Sequence, residues 1–249
     1  MRAALVGAVQ FNGGHFLKQR FDCVIAVDGG YASLRRIGVM PDIAVGDFDS
    51  LGFVPDCPTR TFPVEKDASD MELALHEALG RGCDEVLLYG AFAARLDHTI
   101  ANLELLMALA KRGVRAFGIG DTFAVTALYG SASTIATDHL RFSGNRLLAS
   151  GLAVEGHAAD ACHSESDLPL PVKEDAGADY GNFLSVFALN GDAHGVCERG
   201  LKYCIEDATM PGMSSLGLSN EFTDEDVDIS VRQGSLVITF PINAYQAIV

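Results

Sequence analysis

The residues of this chain best suited to chemistry are six aspartates within about seventy positions. Asp28 follows the apolar run Cys23 to Val27, and Asp47 follows Ile43 to Gly46, with Asp49 two residues further on in Gly46-Asp47-Phe48-Asp49-Ser50. Asp67 and Asp70 flank a helix start at Ser69, and Asp97 stands in Arg95-Leu96-Asp97-His98 beyond the run Val86 to Tyr89. A single aspartate after a strand is ordinarily a turn former or helix cap. Asp42 after Pro41 reads that way, and Asp70 alone could be a favourable first-turn acid. Six such positions form a pattern that turns and caps do not account for. If the apolar runs are parallel strands, their carboxyl ends share one edge, where open α/β sheets bind ligands. In an extended segment Asp47 and Asp49 point the same way. Carboxylates gathered at one edge repel each other unless a cation is present. Magnesium is the natural partner, because it takes a few carboxylates, keeps waters and accepts substrate phosphates. Gly29 and Gly30 leave the backbone open to a ligand, and Lys66 and Arg95 supply positive charge for phosphate oxygens. No Gly-x-x-x-x-Gly-Lys-[Ser/Thr] segment occurs, so the P-loop is excluded.

The elements that must position these residues can be read from the hydrophobic period. Ala3 to Val9, Cys23 to Val27, Ile43 to Gly46 and Val86 to Tyr89 are short apolar runs that suit buried parallel strands. Tyr31 to Ile37 reads as a short helix closed by Gly38. Ser69-x-x-Glu72 is a capping box opening a helix whose Met71, Ala74, Leu75, Ala78 and Leu79 share a face, stopped by Gly80 and Gly82. A second amphipathic helix carries Leu96, Ile100, Leu103, Leu106 and Met107 and ends at Gly113. Alternation of strand and helix predicts a layered α/β domain with a mostly parallel sheet. From Phe123 onward the runs are short, β-branched or aromatic, and broken by turns. They predict an all-β sandwich, with Val227 to Phe240 as a hairpin through Gln233-Gly234. The expected organisation is therefore an α/β domain over residues 1–122 and a β-sandwich over residues 123–249.

Composition narrows the class. With 249 residues, 49% of them apolar, the chain can bury a sizeable core. Its net charge of −15 argues against wrapping nucleic acid, which needs a basic face. The excess is uneven, with 12 basic and 16 acidic side chains before residue 131 and 6 and 17 after it. The segment 156–181 holds one lysine against six acids and reads as an exposed loop. The six cysteines form no Cys-x-x-Cys pair and read as reduced, structural thiols. No run approaches the roughly 20 apolar residues needed to span a bilayer, so a cytoplasmic protein without a membrane segment is expected.

Together these segments resemble the thiamine pyrophosphokinase family. The resemblance rests on Asp28-Gly29-Gly30, on Pro41 to Ser50 ending in Gly-Asp-Phe-Asp-Ser, on Lys66-Asp67-Ala68-Ser69-Asp70, and on Gly90 to His98 ending in Arg-Leu-Asp-His. Gly200-Leu201-Lys202-Tyr203 and Gly217-Leu218-Ser219-Asn220-Glu221 match segments of the family's second half. Ala93 and Ala94 stand where the family has glycines, and the chain has no tryptophan. The resemblance implies an ATP-binding α/β domain, a thiamine-binding β-sandwich, and a homodimer with thiamine near the subunit interface. It implies transfer of a pyrophosphoryl group from ATP to the thiamine hydroxyl, releasing AMP. Asp47, Asp49, Asp70 and Asp97 would then organise Mg²⁺ and the triphosphate, the metal itself on Asp47, Asp49 and Asp70. Arg95 would join the catalytic set, with Asp28, Gly29, Gly30, Lys66, Asp67 and His98 around the nucleotide. Ser219 and Asn220 would contact thiamine, and one of the six carboxylates, Asp97 as first candidate, would accept the proton of its hydroxyl, a choice the sequence does not make. Other readings are a phosphatase of the haloacid-dehalogenase type, a metal-dependent nucleotide-sugar transferase, and a non-catalytic nucleotide sensor. The phosphatase places its nucleophile after the first strand, whereas Asp-Phe-Asp here follows the third.

Overall fold

The computed structural model describes residues 1–63, 67–92, 95–132, 136–144, 146–154 and 180–245. Lys66, Ala93, Ala94, Cys162 and nearly all of the acidic segment 156–181 lie outside the described residues.

Strands without polar alternation need cover on both faces, and the first half supplies it. The strands β1 (Arg2–Val6), β2 (Cys23–Val27), β3 (Ile43–Gly46), β4 (Thr59–Thr61), β5 (Glu85–Tyr89) and β6 (Arg115–Ile119) pair in parallel in the order β6-β5-β1-β2-β3-β4. Successive residues divide between two core layers. Ala3, Leu5, Val86 and Leu88 pack in the layer of α3 (Asp70–Gly80) and α4 (Leu96–Lys111). Ala4, Val6, Leu87 and Tyr89 pack in the layer of α1 (Gly13–Phe16) and α2 (Gly30–Arg36). The capping box is present in half its form, the Ser69 hydroxyl accepting from the Glu72 backbone N–H at 3.2 Å. Gly38 and Gly82 take positive φ (76° and 83°) after their helices, as expected of left-handed closures.

The apolar face of α4 differs from the reading of its period. Leu106, Met107 and Leu109 are buried, but Leu96 and Ile100 are exposed, Leu96 to 70%. The buried Asn102 amide donates to the Ala91 carbonyl at 2.7 Å. Residue 102 is therefore level with a point two residues past the end of β5, and the preceding turn overhangs the sheet edge.

The second half is all β: β7 (Phe123–Gly130), β8 (Ala136–Ser143), β9 (Arg146–Val154), β10 (Phe183–Phe187), β11 (Ala193–Arg199), β12 (Ile205–Met210), β13 (Asn220–Glu221), β14 (Val227–Val231) and β15 (Gly234–Pro241). Its antiparallel layers are present, but one of them is not a separate sheet. β7 pairs with β6 across the turn at Gly120, and β15, β10 and β13 follow, so one ten-stranded sheet runs through both halves. The other layer is the five-stranded sheet β12-β11-β14-β8-β9. It covers the same side of the large sheet that α1 and α2 cover further along, through Leu140, Phe142, Val196, Ile229 and Val231. The expected hairpin over 227–240 is not formed. β14 pairs with β11 and β8 in the small sheet, whereas β15 pairs with β7 and β10 in the large one. Two alternating runs joined by Gln-Gly read the same whether the chain folds back or changes layers. Here it changes layers, and Gln233 is bridged to His194 at the crossing.

Gly30 opens α2 directly beneath β1, and a Cβ there would lie 1.7 Å from the Val6 carbonyl oxygen. No side chain fits without moving backbone. Gly30→Ala is expected to cost at least about 2–3 kcal/mol, lowering the melting temperature by roughly 5–10 °C in a chain of this size. Thermal denaturation followed by circular dichroism checks this, with Gly80→Ala, which meets nothing within 4 Å, as the neutral comparison.

Candidate functional site

The strand order sets the position of the site. The chain runs outward from β1 through β2, β3 and β4, then returns to place β5 on the other side of β1. The carboxyl end of β1 is thus the point where the topology reverses, and ligands of open α/β sheets bind there. The backbones at this point are in near contact. Gly7 N–H donates to the Tyr89 carbonyl at 2.8 Å, and a Cβ on Gly90 would lie 2.5 Å from the Gly7 and Val9 carbonyl oxygens. Met71, in the first turn of α3, brings its Cε to 3.4 Å of a Cβ built on Gly7. One edge therefore gathers the ends of β1, β2, β3 and β5 and the start of α3.

Asp28 and the Gly46–Ser50 segment form its centre. Asp28 takes a left-handed conformation (φ 46°), and its N–H donates to the Val45 carbonyl at 2.8 Å. The Ser50 hydroxyl donates to Asp28 Oδ2 at 2.7 Å. Asp28 Oδ1 is buried without a hydrogen-bond partner among the described residues. The segment after β3 is not extended. Phe48 has φ 61° and its side chain is buried, while the Asp49 N–H donates to Asp47 Oδ1 at 3.1 Å. Asp47 and Asp49 are thus placed by a turn and not by alternation, because the apolar Phe48 drives the chain into the core between them. Asp47 is half-buried and Asp49 exposed.

The other expected residues are distributed around this centre. Asp70 is the first residue of α3 and half-buried, and Asp67 is exposed just ahead of it. Arg95 and Asp97 are exposed and face each other at the start of α4. The guanidinium donates from both Nε and Nη2 to the two carboxylate oxygens. That pairing holds the Asp97 carboxyl down to about 2. A carboxylate so stabilised is a weak proton acceptor, and the reading of Asp97 as the acceptor of a hydroxyl proton does not suit this geometry. His98 is exposed in the first turn. Lys66 is not among the described residues. Asp42 is structural, as read from the sequence, accepting from the Val24 N–H at 2.7 Å.

Magnesium can be tested against this donor set. Among the described residues no three His, Cys, Asp or Glu side chains come together as a ready-made metal site. A triad of Asp47, Asp49 and Asp70 is therefore not pre-assembled. Magnesium does not require one, since it is usually held by one or two carboxylates, waters and substrate phosphates. The orphaned Asp28 Oδ1 beside Asp47 and Asp49 fits a group that brings positive charge or donors.

In the second half the two expected thiamine contacts differ from each other. Ser219 is exposed with φ 57°, its N–H donating to the Ser185 hydroxyl at 3.0 Å. Asn220 is buried, and its amide makes four hydrogen bonds within the chain. Its Nδ2 donates to Glu198 Oε2 (3.0 Å) and to the Tyr203 carbonyl (2.7 Å), and its Oδ1 accepts from the Tyr203 and Glu221 N–H groups (3.0 and 2.9 Å). It ties the Gly200–Tyr203 loop to the Ser219 turn. The sequence reading missed Glu198, which is 2% exposed at the centre of this network. Bulges in β11 on either side of Val196 break the alternation that would have marked it as an inward acid.

Residues 15–117 match the family model described as thiamin pyrophosphokinase, catalytic domain, and residues 169–236 match thiamin pyrophosphokinase, vitamin B1 binding domain. The chain belongs to the thiamine pyrophosphokinase family. Over 98 residues it is 33% identical to thiamine pyrophosphokinase of Bacillus subtilis (strain 168), a match covering 36% of this chain and 46% of that relative. Crystal structures of thiamine pyrophosphokinases share the fold. The Bacillus subtilis protein superposes with a TM-score of 0.72 at 19% identity, covering 97% of this chain and 99% of that one. The Geobacillus thermodenitrificans protein gives 0.70 at 22% identity, covering 97% of each chain. The Candida albicans protein gives 0.57 at 13% identity, covering 96% and 89%.

Burial pushes Glu198 up to about 7, against the hydrogen bond from Asn220, which favours the anion. A carboxyl raised in the folded state binds a proton that the unfolded chain has lost. Its contribution to stability is therefore complete below the ordinary carboxylate range and declines as pH rises toward 7. Glu198→Gln is expected to flatten the melting temperature between pH 4.5 and 7, where the unaltered chain loses several degrees more. Scanning calorimetry across that range checks it.

Proposed function

We propose that this chain is a thiamine pyrophosphokinase that transfers a diphosphoryl group from ATP to the hydroxyl of thiamine, forming thiamine diphosphate and AMP. The observation that carries the reading is the order of parts. A catalytic-domain match ends in a strand, β6, that is hydrogen-bonded to the sheet of the vitamin B1 binding half, with the aspartates gathered at one edge. The substrate chemistry suits that edge. Transfer of a phosphoryl-type group needs positioning and charge neutralisation more than covalent help.

In this reading the triphosphate lies over the carboxyl ends of β1, β2 and β5, where Gly29 leaves the backbone accessible, whereas Gly7, Gly30 and Gly90 are buried and serve to let the chain segments converge. Asp47 and Asp49 hold magnesium, and Asp70 bounds the site from the first turn of α3. When bound, the metal supplies neutralisation of the phosphate oxygens. Arg95 exchanges Asp97 for the phosphates, with Lys66, Asp67 and His98 at the rim. The oxygen of the thiamine hydroxyl forms a bond to the β-phosphorus, the bond from that phosphorus to the AMP oxygen breaks, and AMP leaves with the electron pair. The hydroxyl proton passes to a carboxylate at the same edge. Asp28 suits this better than Asp97, because its Oδ1 has no hydrogen-bond partner among the described residues, whereas both oxygens of Asp97 are bonded to Arg95. Ser219 faces thiamine, and Asn220 acts by holding the Gly200–Tyr203 loop. The setting is cytoplasmic. No helix among the described residues is long and apolar enough to cross a membrane, and the five described cysteines are free thiols.

The assembly is a homodimer. Leu96 and Ile100 overhang the sheet edge beside the aspartates, and Met213, Leu216 and Leu218 are exposed in the second half. Each apolar set is covered by a second copy, which places the thiamine half of one chain against the nucleotide half of the other.

Incubation with ATP, magnesium and thiamine is expected to yield AMP and thiamine diphosphate in equal amounts. Phosphate release from small phosphoesters would favour the phosphatase instead, and ATP binding without turnover the sensor. Asp49→Asn is expected to reduce turnover at least 100-fold while shifting the melting temperature by less than about 2 °C. Near-normal AMP release by that variant would remove the metal role. Sedimentation velocity is expected to show a dimer that Leu96→Glu with Ile100→Glu converts to monomer.

A further inference from the structure

Far from the aspartate edge, a cavity of about 230 Å³ opens between the carboxyl end of α4 and the strands β6, β7 and β8. Its floor contains a buried charge that no part of the proposed reaction uses. Asp138, 6% exposed, projects from β8 into this space. One of its oxygens has an evident structural role. The β6–β7 ladder ends at Phe117 and Thr126, so the end of β7 beyond Thr126 has no ladder partner on that side, and Asp138 Oδ2 accepts from the Tyr129 N–H at 2.9 Å in place of a strand. The other oxygen, Oδ1, is buried and has no hydrogen-bond partner among the described residues.

The basic side chains nearby are engaged elsewhere. Arg115 Nη2 is paired with Glu85 at 2.8 Å, and Lys111 Nζ lies 5.8 Å over the Tyr129 ring. His139 bonds Asp228 at 2.8 Å. Asp84 at the mouth is exposed and pairs with the Met1 amine at 2.6 Å. The helix end contributes further negative character through its last carbonyls. The remaining wall is Ala110, Gly113, Val114, Ala116, Ala127 and Leu128, with Thr126, whose hydroxyl is taken up by the Ala116 carbonyl at 2.7 Å. An unpartnered buried carboxylate oxygen is costly unless it meets a donor, and this space holds far more than one water.

We propose that this cavity binds a short primary alkylammonium ion, its N–H groups on Asp138 Oδ1 and its hydrocarbon chain against the apolar wall. Recognition needs both parts: the charge with its donors for Asp138, and a few methylenes for the alanine, valine and leucine side chains. Burial raises the Asp138 carboxyl to about 6, with the Tyr129 and His139 N–H groups pulling it down. Binding therefore weakens as pH falls through that value, because the protonated acid no longer attracts a cation.

The test uses the full chain and n-butylammonium as probe, read by isothermal titration calorimetry and thermal shift at pH 8. Saturable one-site binding is expected, weakened at least tenfold in Asp138→Asn and at pH 5. Tetramethylammonium, a cation without N–H donors, and n-butanol, an uncharged alkyl chain, are expected to bind at least tenfold more weakly. Should Asp138→Asn fail to fold, chemical shifts of the unaltered protein decide, with perturbations expected at Ala116, Ala127 and Leu128. No saturable binding, perturbations confined to the aspartate edge, or equal binding of tetramethylammonium would each overturn the proposal.

Discussion

The antiparallel pairing of β6 with β7 is the contact on which the molecule depends. On one side of it lie six parallel strands whose carboxyl ends carry the aspartates, and on the other lie four antiparallel strands of the second half. Because the pairing is a ladder of backbone hydrogen bonds, it fixes the register of one half against the other. It also lets α4 pack on strands from both halves, β6 and β7 as well as β15. The aspartate edge and the β13 edge that follows Ser219 therefore belong to one continuous sheet.

At the aspartate edge the limiting factor is backbone room. Gly7, Gly30 and Gly90 sit where any Cβ would strike a carbonyl, so three chain segments converge without side chains between them. The acids then stand around a tightly packed, buried backbone junction. They are not assembled into a metal cage beforehand, which is consistent with a magnesium ion that arrives with phosphate. The pairing of Arg95 with Asp97 keeps that edge closer to neutral before any ligand binds.

The second half uses buried polar groups differently. Asn220 and Glu198 hold a loop and a turn together inside the protein, so the segment that carries the family signature has a structural role. Asp138 repeats the theme on another strand, one oxygen standing in for a missing partner strand. Each of these groups is close to an irregularity in the sheet: bulges in β11 for Glu198, and the end of the β6–β7 ladder at Thr126 for Asp138.

The sequence by itself determined the elements and the chemistry. Apolar runs of strand length, the Ser69 cap, and the left-handed glycines are local signals, and the structure contains each of them. So are the aspartates after β2 and β3, whose placement at one edge follows from parallel strands. What only the tertiary structure decided depends on contacts between distant segments. The alternation in Val227–Phe240 could not distinguish a hairpin from a change of layer, since both bury every second residue. The period of α4 could not reveal that its first turn overhangs the sheet, because exposure depends on where the strands stop. The course of the chain at Phe48 and the buried Glu198 and Asp138 depend on neighbours remote in sequence, while the Arg95–Asp97 pairing, two residues apart, is local and is set by the geometry at the start of α4.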